Sequence, residues 1–355
     1  MLTQKFKLGE LTLNNRIVLP PMVSRLATEG GFVTGELLAH YHKRRGPGLV
    51  VVEATAISPE GKLAPLQLGA FLPQHQEGLR ELAQTIQQNG TRAIVQIHHA
   101  GSHTDLEATG GRDLLSPSGI AVRQTPSRSL KEDEIYRLIH QYYIAAKRVL
   151  ALGFAGIEIH AAHGYLIGQF LSPLTNKRSD SWGGSLEARA KFLKEILLRV
   201  RKLVGPDQIL ALRLGLEDWR EGGLKIEEGL RVGKLALEWG VDLLDISFGL
   251  PGPWPQAPDE FSSLLHLSKK AKDAGLGPTI GVGEIRTAEQ AQLALMRGMA
   301  DLVAVGRGML ADPAWARKAL GQESGAINSC RLCTNCKVRE GQCPAQMSCK
   351  KIGGD

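Results

Sequence analysis

The sequence predicts a (β/α)8 barrel. Eight short, β-branched apolar runs recur along the chain, each followed by a longer segment of helical spacing, and the polar insertions follow the C-terminal ends of strands. The expected strands are Arg16–Pro20, Leu49–Ala54, Arg92–Ile97, Gly156–His160, Gln208–Leu214, Val241–Ser247, Pro278–Val282 and Leu302–Gly306. Parallel strands covered by helices read as continuous apolar runs, and these do. The helical segments are Gly35–Arg44, Pro73–Gln88, Lys131–Leu152, Leu186–Leu203, Ile226–Trp239, Glu260–Ala274, Thr287–Arg297 and Pro313–Leu320. In Lys131–Leu152, Ile139, Tyr143, Ala146 and Leu150 fall near a 3.6-residue period and should form the buried stripe. A doubly wound open sheet is the alternative, but it usually has fewer strands, and no GxGxxG opens the first βα unit. The barrel should occupy residues 1–320, and residues 321–355 should form a cysteine-rich basic extension reached through a linker at 321–329.

At 355 residues, with 43% hydrophobic and 22% charged, the chain is an ordinary globular sequence, neither disordered nor fibrous. No apolar stretch approaches the ~18 residues of a membrane helix, and MLTQKFKLGE has no signal-like apolar region, so a cytoplasmic protein without membrane contact is expected. The net charge of +7 is mild and gives no reason to expect a nucleic-acid partner. All five cysteines lie at or after Cys330, among Arg331, Lys337, Arg339, Lys350 and Lys351 with only Glu340 opposing them. Cysteines gathered at one end suggest a metal or redox element rather than a disulfide scaffold.

The chemistry should sit at strand ends. In Ile157-Glu-Ile-His-Ala-Ala-His-Gly-Tyr165, alternation puts Glu158 and His160 on one face, with His163 and Tyr165 in the following turn. Two imidazoles can donate to a carbonyl or nitro oxygen, and a tyrosine protonated at neutral pH can act as a general acid. Gly281-Val-Gly283 ends the seventh strand, and Ala304-Val-Gly-Arg-Gly308 ends the eighth. Barrels often hold a phosphate at these two loops, with glycines for close approach and here Arg307 for charge. Gln96 closes the third strand. Arg213, inside the fifth, needs an anion or acceptor, whether a ligand or a structural partner such as Glu158 or Glu217.

These residues resemble the Old Yellow Enzyme family of FMN-dependent ene-reductases and NADH:flavin oxidoreductases. The resemblance runs over about Leu2 to Leu320 and is carried by Asn14-Asn-Arg-Ile-Val-Leu-Pro-Pro-Met22, Val52-Glu-Ala-Thr-Ala56, Gln96 with His99-Ala-Gly101, Glu158-Ile-His-Ala-Ala-His-Gly-Tyr165, Phe170-Leu-Ser-Pro173, Arg178-Ser-Asp-Ser-Trp-Gly-Gly184, Arg213, Val305-Gly-Arg307 and Asp312-Pro313. It implies that Pro21, Met22 and Ala54 line the flavin, that Gln96 meets its pyrimidine edge and that Arg213 lies near N1. Gly283, Gly306 and Arg307 would hold the phosphate, His160 and His163 would bind the activating group of the substrate, and Tyr165 would protonate the α-carbon. The reaction implied is ping-pong reduction of an electron-poor alkene (an enone, nitroalkene or maleimide) by NAD(P)H, in a homo-oligomer. Two departures stand out: Val23 replaces a cysteine or threonine near flavin N5 and O4, and Arg25 replaces a substrate-pocket tyrosine of the bacillus-type branch.

The tail, Cys330-x2-Cys333-x2-Cys336-x6-Cys343-Pro, resembles the iron–sulfur segment of the 2,4-dienoyl-CoA reductase and trimethylamine dehydrogenase branch, though the gap before its third cysteine is x2 rather than x3 and its last gap is much shorter. A [4Fe–4S] cluster, a zinc ion or no metal are the readings for Cys330, Cys333, Cys336 and Cys343, with Cys349 spare. Twelve residues follow Cys343, so the additional flavin and nicotinamide domains of that branch are not expected. The alternatives to an ene-reductase are an oxidative amine demethylase and an electron-transfer or redox-sensing flavoprotein that docks a redox partner at its tail.

Overall fold

The computed structural model describes residues 1–88 and 90–333, together with 336, 343 and 345. Eight parallel strands close into a barrel: β1 Ile17–Leu19, β2 Leu49–Ala56, β3 Arg92–His98, β4 Gly156–Ala161, β5 Ile209–Gly215, β6 Leu243–Ser247, β7 Thr279–Val282 and β8 Leu302–Ala304. Closure is made by Val303 opposite Ile17 and Ala304 opposite Val18. All eight expected strands are present, with boundaries that differ by no more than two residues.

Strand parity divides the side chains into two sets. Val50, Val52, Val95, Ile97, Ile157, Ile159, Leu212, Leu214, Leu244 and Ile246 pack outward into the main core beneath the helices. Val18, Leu49, Val51, Ile94, Ile209, Ala211, Leu243, Ile280 and Leu302 form a second core inside the barrel. An N-terminal hairpin, Phe6–Leu8 with Leu11–Leu13, adds Leu8, Leu11 and Leu13 to this inner core and closes its lower end. Further along the same inward faces the residues turn polar: Gln96 and His98 on β3, Glu158 and His160 on β4, Arg213 on β5, Asp245 and Ser247 on β6. All seven are at most 7% exposed. Apolar filling below and polar groups at the C-terminal end are the barrel arrangement that carries chemistry.

The helices start where short polar side chains can take up unpaired N–H groups. Thr34, Ser185, Ser262 and Thr287 accept from Leu37, Ala188, Leu265 and Gln290. In the helix Glu132–Leu150 the expected Ile139, Ala146 and Leu150 are buried, but the fully buried tyrosine is Tyr142 rather than Tyr143, because the stripe runs through Ile135, Leu138, Ile139, Tyr142, Ala145, Ala146, Val149 and Leu150. The insertion after β3 holds a short helix, Leu106–Thr109, and a two-stranded ribbon of Leu114–Ser116 with Ser127–Ser129. The segment after β4 forms the helix Leu166–Leu171 and then a fastened loop. Trp182 is fully buried and donates to Glu132 at 3.2 Å, while Arg178 donates to the carbonyls of Pro117 and Leu130 and pairs with Asp180. The two insertions are thus tied to each other above the barrel mouth.

The segment read as a linker is packed onto the barrel. Ile327 lies against the main core, the Asn328 backbone N–H donates to the Asp312 carboxylate at 2.9 Å, and Cys330 packs with Ala311 and Ala345. No helix among the described residues is long and apolar enough to cross a membrane.

Candidate active site

The turn after β4 is built by two consecutive left-handed residues, His163 (φ 59°) and Gly164 (φ 71°). His163 donates its N–H to the Phe248 carbonyl at 3.0 Å, which ties the turn to the end of β6. The side chains form a chain of hydrogen bonds. His160 Nδ1 accepts from the Ala162 N–H at 3.2 Å, His160 Nε2 meets His163 Nδ1 at 3.2 Å, and His163 Nε2 meets Ser247 Oγ at 2.6 Å. A backbone N–H can only donate, so it assigns the tautomers. His160 carries its proton on Nε2 and donates to His163, which carries its own on Nε2 and donates to Ser247. Burial holds both imidazoles well below their ordinary pKa, with Arg213 repelling a further positive charge, so both are neutral.

Tyr165 is held by rings. It stands edge-on to His98 and His160, each at 4.9 Å between centroids, and lies tilted against His103 at 5.2 Å. Burial pushes its phenol up to about 12. Its hydroxyl has no hydrogen-bond partner among the described residues. The sequence-predicted trio is therefore brought together, with all four ring nitrogens of the histidines already engaged and the phenol open.

Below and beside this group, Gln96 donates to Glu158 at 2.7 Å and Arg213 faces Asp245 at 3.6 Å. The partner of Arg213 is Asp245, in place of the expected Glu158 or Glu217, because β6 pairs with β5 in a register that sets Asp245 opposite Arg213. Asp245 had no signal of its own in the sequence, being one acid within an apolar strand. Glu53, quoted only as part of a motif, was given no role for the same reason, and His98 and Ser247 were given none because strand parity does not say which inward polar residues meet. Glu53 is wholly buried, its carboxyl raised to about 7 by desolvation, and it accepts from the Ser24 N–H at 3.3 Å. It thereby anchors the loop that carries Pro21, Met22 and Val23.

A cavity of about 550 Å³ opens beside these groups. Pro21, Met22, Arg213, Gly283, Gly306 and Arg307 line it, together with Trp254, Val282, Glu284, Cys330 and Leu332. Val23, Ala54 and Gln96 are not among its lining residues. The residues suit a flat phosphorylated group such as FMN. Gly283 has φ 145°, and a Cβ there would lie 1.9 Å from Ser262 Oγ, so the backbone itself forms the wall. A Cβ on Gly306 would press on Met22 Sδ at 3.1 Å and Pro20 at 3.3 Å. Arg307 reaches Glu284 at 3.2 Å, a half-exposed pair that a phosphate can replace. Arg213, at another part of the lining, offers positive charge to the ring system.

Residues 2–324 match the family described as NADH:flavin oxidoreductase / NADH oxidase. The chain belongs to that family. An NADH oxidase of Thermoanaerobacter brockii is 38% identical over 341 residues, covering 94% of this chain and 52% of that protein. An NADPH dehydrogenase of Halalkalibacterium halodurans is 35% identical over 316 residues, 87% of this chain and 90% of that one. Among solved structures, a 2-naphthoyl-CoA reductase in complex with 2-naphthoyl-CoA superposes with a TM-score of 0.88 and 30% identity, over 95% of this chain and 54% of its own. An old yellow enzyme homologue from Zymomonas mobilis gives 0.81 and 27%, over 92% and 94%. The chain thus spans about half the length of the NADH oxidase and the naphthoyl-CoA reductase, and about nine-tenths of the other two. The likeness to the Old Yellow Enzyme family read from the motifs is borne out, and this is an NAD(P)H-dependent flavin oxidoreductase by family.

In this flavin oxidoreductase the tail reaches the cavity through Cys330 and Leu332. Cys330, Cys333, Cys336 and Cys343 are thiols outside any disulfide. The Cys336 thiol is pushed up by burial and by the other three, with Arg307 acting in the opposite sense. Among the described residues no three ligating groups are gathered for a metal ion. Cys349 lies outside the described residues.

Proposed function

We propose that this flavin oxidoreductase binds FMN in the cavity between β1, β7 and β8 and reduces electron-poor carbon–carbon double bonds with NAD(P)H in two successive half-reactions. The observation that carries the reading is the Tyr165 hydroxyl: protonated, on a half-buried side chain, without a hydrogen-bond partner among the described residues, and set beside two neutral histidines at the end of the barrel where Arg213 lines the cavity. Bound FMN would accept hydride from the nicotinamide and pass it to the alkene β-carbon. Pro21, Met22 and Val282 would flank it, Arg213 would balance its charge, and Gly283, Gly306 and Arg307 would hold its phosphate.

The chain's own residues supply the rest. His163 offers its Nε2–H, now given to Ser247, to the carbonyl or nitro oxygen of the substrate. His160 acts through His163, fixing its tautomer. Tyr165 gives a proton to the α-carbon as the β-carbon receives hydride, so the alkene gains one hydride and one proton and the phenolate is reprotonated from water. Trp219, Phe248 and Trp254 form an aromatic group beside His163, with Trp219 and Phe248 stacked at 4.7 Å, a surface suited to planar conjugated substrates.

Four thiols with basic neighbours suit an iron–sulfur cluster or zinc in donor chemistry, but their placement among the described residues does not assemble such a site, and no step is routed through it. The test of the main reading is stopped-flow kinetics of the purified yellow protein. FMN should be released on denaturation, NAD(P)H should bleach it, and an enone such as cyclohexenone should restore the colour rapidly. Fast bleaching with no alkene-dependent recovery would make the protein a sensor or electron carrier instead.

A further inference from the structure

Four consecutive strands place polar side chains side by side inside the barrel: Gln96 on β3, Glu158 on β4, Arg213 on β5 and Asp245 on β6. The registers set Gln96 opposite Glu158 and Arg213 opposite Asp245. Glu158 is 0% exposed and Asp245 1%. Glu158 Oε2, both carboxyl oxygens of Asp245 and Arg213 Nε have no hydrogen-bond partner among the described residues. Asp245 faces the Arg213 guanidinium at 3.6 Å, and Glu158 stands on the strand at the other side of β5, two residues from the position opposite Arg213, so two buried carboxyls flank one guanidinium at the edge of the cavity.

The surroundings bring no second cation. His98 on β3 and His160 on β4 are both kept neutral by burial. With both acids ionised, the group would carry one uncompensated negative charge in a medium where an isolated buried charge costs several kcal/mol. One proton makes it neutral.

We propose that Glu158 and Asp245 hold a single proton between them at neutral pH, and that this proton makes Glu158 a positioning residue for Gln96 and Arg213. The direction of both carboxyls agrees: burial raises each, and Asp245 adds to the rise at Glu158. The neutral pair leaves Arg213 with one counter-charge, so its guanidinium stays at the cavity wall rather than being drawn between two carboxylates. The Glu158 carboxyl is also the group bonded to Gln96, so its protonation state decides whether the Gln96 amide meets it as donor or as acceptor and which way that amide is turned. Loss of the proton puts a second negative charge beneath a cavity proposed to take an anionic cofactor. The cofactor part of this inference rests on the FMN reading above, while the shared proton does not.

The experiment is infrared difference spectroscopy on the full-length protein, read at the carbonyl stretch of protonated carboxylic acids. Glu53→Gln identifies the separate contribution of Glu53. At pH 7.5 one further acid band should be present, shifted in heavy water, and lost in Glu158→Gln or Asp245→Asn. Absence of the band, or its survival in both variants, overturns the proposal. Fluorescence titration of the FMN-stripped protein then tests positioning. The FMN dissociation constant should rise about tenfold per pH unit above the pH at which the band bleaches, and Glu158→Gln should flatten that rise. A band that bleaches with no change in FMN affinity overturns the positioning role. Failure to bind FMN at any pH would instead defeat the cofactor reading, and the band would still decide whether the proton is shared. Should Glu158→Gln not fold, the wild-type titration and Asp245→Asn decide both points.

Discussion

Replacing Tyr165 by phenylalanine keeps the ring against His98, His160 and His103 and removes only the hydroxyl. That hydroxyl has no hydrogen-bond partner among the described residues, so no buried group is stranded and stability should change by less than about 1 kcal/mol. The half-reactions should respond differently. Hydride delivery from NAD(P)H takes no proton from Tyr165, and its rate should stay within about twofold. Alkene reduction needs the proton at the α-carbon, and a positioned general acid is worth about 10²–10⁴-fold. Burial raises the phenol to about 12 and makes it a weaker acid than usual, which favours the lower end, a loss of about 10²-fold. The donor must be protonated, so activity is present below the raised pKa and is lost as pH rises through it. An ordinary phenol is about half ionised at pH 10, whereas the wild-type alkene step should still be at its plateau there. The assay is stopped-flow reoxidation of the reduced protein by cyclohexenone across pH 6 to 10. Parent-like reoxidation in the phenylalanine variant would refute the assignment, and so would a wild-type rate already halved at pH 10.

Other perturbations test the neighbouring groups. His163→Ala removes the donor to the substrate oxygen and should raise the KM for enones about tenfold or more, while Ser247→Ala removes only the competing acceptor at 2.6 Å and should leave KM unchanged or lower it; steady-state kinetics separates the two. Gly306→Val adds a side chain that meets Met22 and Pro20 at 3.1 and 3.3 Å, and should weaken FMN binding about tenfold or more by fluorescence titration while far-ultraviolet circular dichroism stays that of the parent. Truncation after Leu320 removes the packing of Ile327, the Asn328–Asp312 hydrogen bond and the cavity contacts of Cys330 and Leu332; FMN should still bind, more weakly, with a melting temperature lower by about 5 °C in a thermal scan. His40 and His98, lowered to about 3 by burial, stay neutral in the fold but charge in the unfolded chain as pH falls below about 6.5, so urea stability should drop by about 1.4 kcal/mol per pH unit for each of them between pH 6 and 4; stability unchanged over that range would show that these histidines titrate in the fold.

The barrel was legible because its strands are short runs bounded by turns, and strand parity carries over directly into facing. Glu158 and His160 were expected on one face, and both point inward above the apolar layer that includes Ile94 and Ile209. Parity alone does not say which inward residues meet, since that depends on register between strands distant in sequence. Arg213 accordingly found Asp245, one strand further round. A lone acid in an apolar run gives no signal of its role, so Glu53 and Asp245 went unread although both are buried at the mouth. Of the stripe expected in the helix Glu132–Leu150, Ile139, Ala146 and Leu150 are buried, and only Tyr143 gives its place to Tyr142, a distinction that rests on how the helix is rotated against the barrel rather than on composition.

The histidines show where motif reading ends and geometry takes over. His160 and His163 are adjacent in the motif and equivalent by residue type, and both were expected to present N–H groups to substrate. The Ala162 N–H breaks that equivalence. By donating to His160 Nδ1 it makes His160 a donor to His163, and it leaves the outward proton on His163 alone. The acceptor now holding that proton, Ser247, comes from the end of β6, the same strand whose Asp245 faces Arg213. The β5–β6 register therefore connects the group proposed to bind the substrate oxygen with the group proposed to balance the cofactor. A change in β6 that moved Asp245 would also move Ser247, so the proposed charge balance at the cofactor and the proposed orientation of the substrate both depend on this one strand.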